Sequence, residues 1–146
     1  MINSFKGDYA FLSNFYPVEI KGEDGIIYPS VEHYFQAQKT LDIEKRKRIA
    51  KASTPSNAKK IGRKVSLRED WESIKELIML EGLEEKFSSF DLKEKLLHTG
   101  DEYLEEGNTW HDTYWGVCYC DKCHIFGANK LGKLLMQIRE EKRKGK

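Results

Sequence analysis

Leu131, Leu134, Leu135 and Ile138 fall at i, i+3, i+4 and i+7 near the end of this chain. Apolar residues at that spacing share one face of an α-helix, and such a face must be covered by other elements. Shorter helical segments recur upstream, each bounded by start and stop signals. Pro29-Ser30 opens a helix with Ser30 as N-cap, running to about Lys39. A second helix is expected over 43–51. Thr54-Pro55 places an N-cap before a proline at the first helical position, and that helix stops near Gly62. Asp70-Trp71 starts the longest helix, with Trp71, Ile74, Leu77 and Ile78 on one face and Phe87 near its end. Residues 91–97 form another turn or two. Strand signals are confined to 18–21 and 26–28, which flank the hairpin loop Gly22-Glu23-Asp24-Gly25. Residues 108–126 read as loops and short strands. The expected fold class is therefore α+β, mostly helical with a small β element.

A chain of 146 residues suffices for one domain with its own core, and neither repeats nor a linker divide it. A single domain over 1–146 is expected, closed by a basic tail at 140–146 that reads as a solvated helix end. Charged residues make up 34%, but 25 Lys plus Arg against 24 Asp plus Glu leave a net charge of +1. That balance exerts no global pull on nucleic acid or membrane. No run approaches the ~18 apolar residues of a membrane span, and the first residues lack a signal-peptide pattern. The three cysteines, all within 118–123, make a poor disulfide framework. A reducing cytoplasm is the expected compartment.

Three clusters are able to carry chemistry. Glu32, Gln36 and Lys39 are spaced i, i+4, i+7 and share one stripe of the first helix. Because His33, Tyr34, Phe35 and Ala37 leave no clear apolar stripe opposite, that helix is expected to line a polar cavity rather than the surface. Glu32 lies in the first turn, where the helix dipole favours its ionised form, as suits a base or a stabiliser of positive charge. The second cluster, residues 108–116, packs Trp110, His111, Asp112, Tyr114 and Trp115 into a stretch without helical period. It reads either as an aromatic plug of the core or as a pocket wall whose flat rings stack on a base. The third is Cys118-x-Cys120-x2-Cys123-His124. Four zinc ligands inside seven residues would be cramped, so no metal is expected, although three with a distant His98 or His111 would form a set. For an anion, Arg63 after the third helix and Asn129 at the start of the last one are candidates.

Several blocks together resemble the YbiA-like (NADAR) family. They are F-x-G-x-Y-x-F-L-S-N-F-Y-P from Phe5, Y-P-S-V-E-H-Y-F-Q-A-Q-K from Tyr28, T-P-x-x-A-K-x-x-G-R from Thr54 and D-W-x-x-x-K from Asp70. Lys86-Phe87, Trp115-Gly116 and G-x-N-x-L-G-x-L-L-M-x-I-R from Gly127 complete the order. The resemblance implies an enzyme without metal or cofactor that hydrolyses N-glycosidic bonds of ribosylated small molecules. The substrates it implies are phosphoribosylamino-pyrimidine intermediates of riboflavin synthesis. Removal of ADP-ribose from guanine in DNA, and non-catalytic sensing of NAD-like ligands, are the alternatives. By matched block, Glu32, Asp112 and Lys39 are the candidate catalytic residues. Asn14, Phe15, Gln36, Arg63, Trp71, Trp115 and Asn129 are the candidate substrate-binding residues. Either Glu32 or Asp112 is expected to serve the sugar side and activate water, and Lys39 to pair with a phosphate or a carboxylate or to attack the anomeric carbon through a Schiff base with the opened ring. The segment from Cys118 to His124 replaces a Gly-rich or acidic loop of many relatives.

Overall fold

The computed structural model describes residues 1–145, and the chain divides into two compact units: Asn14–Lys86, and Met1–Ser13 with Phe87–Lys146.

The unit Asn14–Lys86 begins with a two-stranded antiparallel hairpin, β1 (Ile20–Lys21) and β2 (Ile27–Tyr28). Ile20 faces Tyr28 across the ladder and both are buried, whereas Lys21 and Ile27 point to solvent. Asp24 in the loop accepts from the Ile26 N–H at 2.9 Å and the Tyr28 hydroxyl at 2.7 Å. It also pairs with Arg46 at 3.1 Å, and both side chains are nearly fully buried. The hairpin is thus locked by a satisfied buried ion pair rather than by strand length.

Four helices follow: α1 (Val31–Ala37), α2 (Ile43–Ala50), α3 (Pro55–Gly62) and α4 (Trp71–Lys86). Ser30 caps α1 by accepting from the His33 N–H, and Thr54 caps α3 by accepting from Asn57. Asp42 caps α2 by accepting from Glu44 and Lys45. Each cap satisfies an N–H that the helix itself leaves open. α1 stops two residues short of the expected Lys39, because the Lys39 N–H turns to the Gln36 carbonyl in a tighter i→i+3 bond. On α4 the buried stripe is Trp71, Ile78, Met79, Gly82, Leu83 and Lys86. Leu77, expected on the apolar face, is 55% exposed because it lies one residue, about 100°, away from Ile78.

The other unit holds a 3-10 helix (Gly7–Leu12), α5 (Phe90–Leu97), α6 (Lys130–Arg143) and two strands, β3 (Gly107–Asn108) and β4 (Val117–Cys118). The strands pair in parallel, Gly107 with Val117 and Asn108 with Cys118. Leu131, Leu135 and Ile138 of α6 are buried as the spacing requires. Arg139 is buried as well, and donates to the Thr99 hydroxyl at 2.9 Å. The expected basic tail is helical through Arg143, which pairs with Asp101 and Glu140 at 2.9 and 3.1 Å. Lys146 lies outside the described residues. Among the described residues no helix is long and apolar enough to cross a membrane.

Candidate active site

Every residue of α1 is buried, including Glu32, His33 and Gln36. Burying a carboxylate, an imidazole and an amide on one two-turn helix is costly unless each finds partners. His33 does: Ser30 Oγ lies 2.7 Å from Nδ1 and the Ala52 carbonyl 3.0 Å from Nε2. With Nε2–H donating to the carbonyl, Nδ1 accepts from the serine, which makes the ring neutral. Burial holds its pKa below the usual value, against the opposing pull of the Ala52 hydrogen bond.

Glu32 is anchored from two sides. Its backbone N–H donates to the Asn14 carbonyl at 3.1 Å, and its Oε2 accepts from Gln36 Nε2 at 2.6 Å, one helical turn on. The second bond is short, as expected for an amide donating to a carboxylate. It also orients the Gln36 amide, since the reverse orientation would aim Oε1 at the carboxylate. The consequence is that Gln36 Oε1 is buried without a hydrogen-bond donor, and so is Asn14 Oδ1, whose own amide nitrogen reaches only the Met79 sulfur at 3.5 Å. A buried carbonyl left unpaired costs ~1–3 kcal/mol. Two such acceptors sit on residues that both bond to Glu32, Asn14 through its backbone carbonyl and Gln36 through its side-chain amide.

Gly62 lets α3 close on this point. A Cβ there would fall 2.0 Å from Gln36 Oε1 and 2.9 Å from Gln36 Cβ, so any side chain would displace the amide. α3 also brings cations. The Lys39 amine is half-buried, and its pKa is held below the ordinary lysine value by burial, with Glu32 opposing the shift and Arg63 and Lys59 adding to it. Lys39, Glu32, Arg63 and Lys59 therefore lie within one electrostatic neighbourhood. Arg63 is exposed at the C-cap of α3, and Phe15 is 40% exposed. Trp71 is 5% exposed with its ring 5.1 Å from Phe35, so its larger part is core.

Sequence reasoning missed Lys86. Its side chain is fully buried, its Nζ lies 5.6 Å from the Tyr16 ring centre, and burial brings its pKa down to about 7. Only the Lys86-Phe87 block marked it, because a lysine in a helix pattern otherwise reads as surface.

In the other unit, Asp112 closes a turn. Its Oδ1 accepts from the N–H groups of Tyr114 and Trp115 at 3.1 and 2.9 Å, leaving Oδ2 for another partner. Asn108 clamps the same turn through Asp112 N and O at 3.2 and 3.0 Å. Trp115 is half-buried and edge-on to Tyr114 at 5.0 Å, whereas Trp110 is 53% exposed. Gly116 is required behind it, since a Cβ there would fall 2.2 Å from the Glu106 carbonyl. Asn129, expected to bind substrate, has its side chain engaged within the protein. Its Oδ1 accepts from Glu106 N at 3.0 Å and its Nδ2 donates to Leu104 O and Tyr103 Oη at 2.9 and 3.3 Å. Both amide hydrogens are consumed, and the residue sits at φ 52° as the brace that starts α6. A groove lined in part by Phe11, Lys95 and His98 holds none of the nominated residues.

The cysteines converge as well. Cys118, Cys120 and Cys123 surround Nδ1 of His111, and the four ligand atoms lie within 4.8 Å of one another. His98 is elsewhere, with Nδ1 on the Glu94 carbonyl at 2.7 Å. The objection that four adjacent ligands would be cramped applied to His124, and the fold brings His111 to the three sulfurs instead.

The chain has clear relatives. E. coli N-glycosidase YbiA is 43% identical over 143 residues, covering 94% of this chain and 84% of that protein. The NMR structure of E. coli YbiA superposes with a TM-score of 0.83 at 39% identity, over 99% of this chain and 86% of that one. A riboflavin biosynthesis protein of Vibrio vulnificus is 36% identical, covering 92% of this chain and 36% of that protein. The NADAR domain model matches residues 3–143, so the chain belongs to the NADAR domain family.

Proposed function

We propose that this enzyme hydrolyses the ribosyl C–N bond of a phosphoribosylamino-pyrimidine, a nucleotide-like intermediate of riboflavin synthesis. The chain is a hydrolase acting on N-glycosyl bonds, in keeping with its relatives. The finer reading rests chiefly on one observation: two buried, unpaired carbonyl oxygens on the residues that hold Glu32. Acceptors of that kind want hydroxyl or N–H donors, and a ribose supplies two adjacent hydroxyls.

Departure of the base builds positive charge on the sugar and negative charge on the leaving nitrogen. Glu32 carries the matching negative charge and is fixed by Gln36, so little reorganisation accompanies the charge build-up. In the proposed pose, Asn14 Oδ1 and Gln36 Oε1 accept from the ribose hydroxyls. Glu32 takes a proton from the attacking water as the water oxygen bonds to the anomeric carbon, while the C–N bond breaks and the departing nitrogen is protonated from solvent. Lys39 and Arg63, with Lys59 nearby, receive the phosphate. Their mutual repulsion, which helps hold the Lys39 pKa down, is relieved when a dianion binds. Phe15 offers an exposed aromatic face on which a pyrimidine would stack. Asn129 is a scaffold residue in this reading.

The name of the Vibrio relative favours the pyrimidine substrate over ADP-ribosylated DNA. So does the net charge of +1, which lacks the excess of cations that DNA binding draws on. The test is incubation with phosphoribosylamino-pyrimidines and with ADP-ribosylated oligonucleotides, reading free base and free sugar phosphate. Turnover of the pyrimidine at least tenfold above the oligonucleotide is expected, and the reverse order overturns the assignment.

A further inference from the structure

Residues 108–126 contain little that would hold them by apolar burial. Trp110, Ile125 and Phe126 are 53%, 64% and 66% exposed. Strand pairing in the segment is confined to Asn108 of β3, Val117 and Cys118 of β4, and the bridge between Cys118 and Phe126. Yet the backbone takes three left-handed conformations at residues other than glycine: His111 at φ 68°, His124 at 53° and Ile125 at 56°. For a β-branched residue such as Ile125 that conformation is strained. Something other than packing has to favour this arrangement, and the strain brings together the side chains of His111, Cys118, Cys120 and Cys123.

We propose that Cys118, Cys120, Cys123 and Nδ1 of His111 bind one zinc ion, which staples this segment. With bonds of about 2.3 Å to sulfur and about 2.0 Å to nitrogen, a tetrahedral site has S–S edges of about 3.8 Å and S–N edges of about 3.5 Å. The three sulfurs stand 3.4, 3.4 and 3.8 Å from His111 Nδ1. Hydrogen bonding does not account for this. A neutral imidazole nitrogen has one lone pair and accepts one S–H, whereas three sulfurs crowd around it. Hydrophobic burial does not account for it either, because Cys118 alone is buried and His111 is exposed.

The local backbone is built to present the sulfurs. Cys118 and Phe126 exchange both backbone bonds, at 2.9 and 3.1 Å, so the chain leaves and returns at one point. Between them the N–H groups of Cys123 and His124 fold onto the Cys120 carbonyl at 3.2 and 3.3 Å. That turn carries Cys120 and Cys123 back toward Cys118, and His111 closes the set from the preceding loop. Binding forms three Zn–S bonds and one Zn–N bond. The three thiol protons pass to solvent and no electron moves. Three thiolates and an imidazole in a tetrahedron select zinc over magnesium or calcium. With all four positions filled by protein the ion is structural, and it takes no part in N-glycosidic cleavage. Its consequence is positional: the segment it closes includes Asp112 and Trp115.

The test uses tag-free protein purified in reductant. Elemental analysis should find about one zinc per chain, and a mercurial that titrates the thiols should release it in proportion. Replacement of the zinc by cobalt(II) should give the intense charge-transfer and d–d bands of a tetrahedral thiolate site. Cys120→Ser with Cys123→Ser should lose the zinc and lower the Tm, whereas His124→Ala should keep both. Wild-type protein that stays zinc-free after dialysis against zinc in reductant, with all three thiols as reactive as before, overturns the proposal. So does cobalt binding with an octahedral, thiolate-free spectrum. Both of these measurements are made on the wild type, so they decide the matter even if the cysteine variants fail to fold.

Discussion

Glu32→Gln is the sharpest perturbation of the proposed chemistry, because it removes one charge at almost constant shape. In the wild type the Glu32 carboxylate accepts a 2.6 Å bond from Gln36. A hydrogen bond to a charged group contributes ~1.5–3 kcal/mol, and a neutral amide pair ~0.5–1.5 kcal/mol. The exchange should therefore cost about 1 kcal/mol of stability by this route, partly offset because burying a charge is itself unfavourable. The fold should survive, with a Tm close to the wild-type value. Turnover should respond far more. Losing a positioned acid–base group costs at least ~100-fold, which corresponds to about 2.7 kcal/mol of transition-state stabilisation. The assay is release of free base under saturating pyrimidine substrate, beside a denaturant titration of the same preparation. A variant with near-normal turnover per folded molecule would refute the role given to Glu32. A variant that loses activity and stability together would reduce Glu32 to a structural residue.

The two nominated tryptophans should separate cleanly: Trp71→Ala should cost ~3–5 kcal/mol in denaturant titration, as for a buried aromatic, because Trp71 is 5% exposed. Trp115→Ala should instead raise KM with a stability loss below ~2 kcal/mol, and a Trp115 variant that unfolds while keeping full activity per folded molecule contradicts this. Lys86 ionises near pH 7 when folded and at about 10.5 otherwise, so its burial should make stability rise with pH across that window and level off above it. Lys86→Met should abolish that rise, and parallel stability–pH curves for the two proteins would show that the amine is charged throughout. Asp24→Asn leaves Arg46 buried without its counter-charge and should cost ~3–5 kcal/mol. Burial tends to raise the Asp24 pKa, but bonds from Tyr28 and Ile26 and the charge of Arg46 hold it below the ordinary value. The wild type should therefore keep this contribution above the unfolded carboxyl pKa and lose it as pH falls through the folded one, and a variant without that acid-side loss would be the confirming result.

The helices were legible in the sequence because their signals are local. Ser30, Thr54 and Pro55 act on N–H groups within three residues, and Leu131, Leu135 and Ile138 repeat with the helix itself. The Glu32–Gln36 bond is likewise an i,i+4 event, so the polar stripe could be read directly. Asp112 and Trp115 were nominated by the family blocks and not by any helical period. What the sequence left undecided depends on partners far along the chain. Asn129 braces the start of α6 because Leu104, 25 residues away, takes its amide. Lys86 is buried, and Leu77 is not, because the rotation of α4 against its neighbours is set by packing and not by composition. The unpaired carbonyls of Asn14 and Gln36 exist only where two distant segments exclude water together. The clearest case is the cysteine cluster. The sequence offered His124, next to Cys123, and the distant His98 and His111 as partners of the cysteines without choosing among them, and backbone turns at φ 68° and 53° put His111 there and leave His124 exposed. Periodicity and capping are properties of neighbouring residues. Which side chains meet, and which polar atoms stay unpaired, is decided by tertiary contacts that no local pattern encodes.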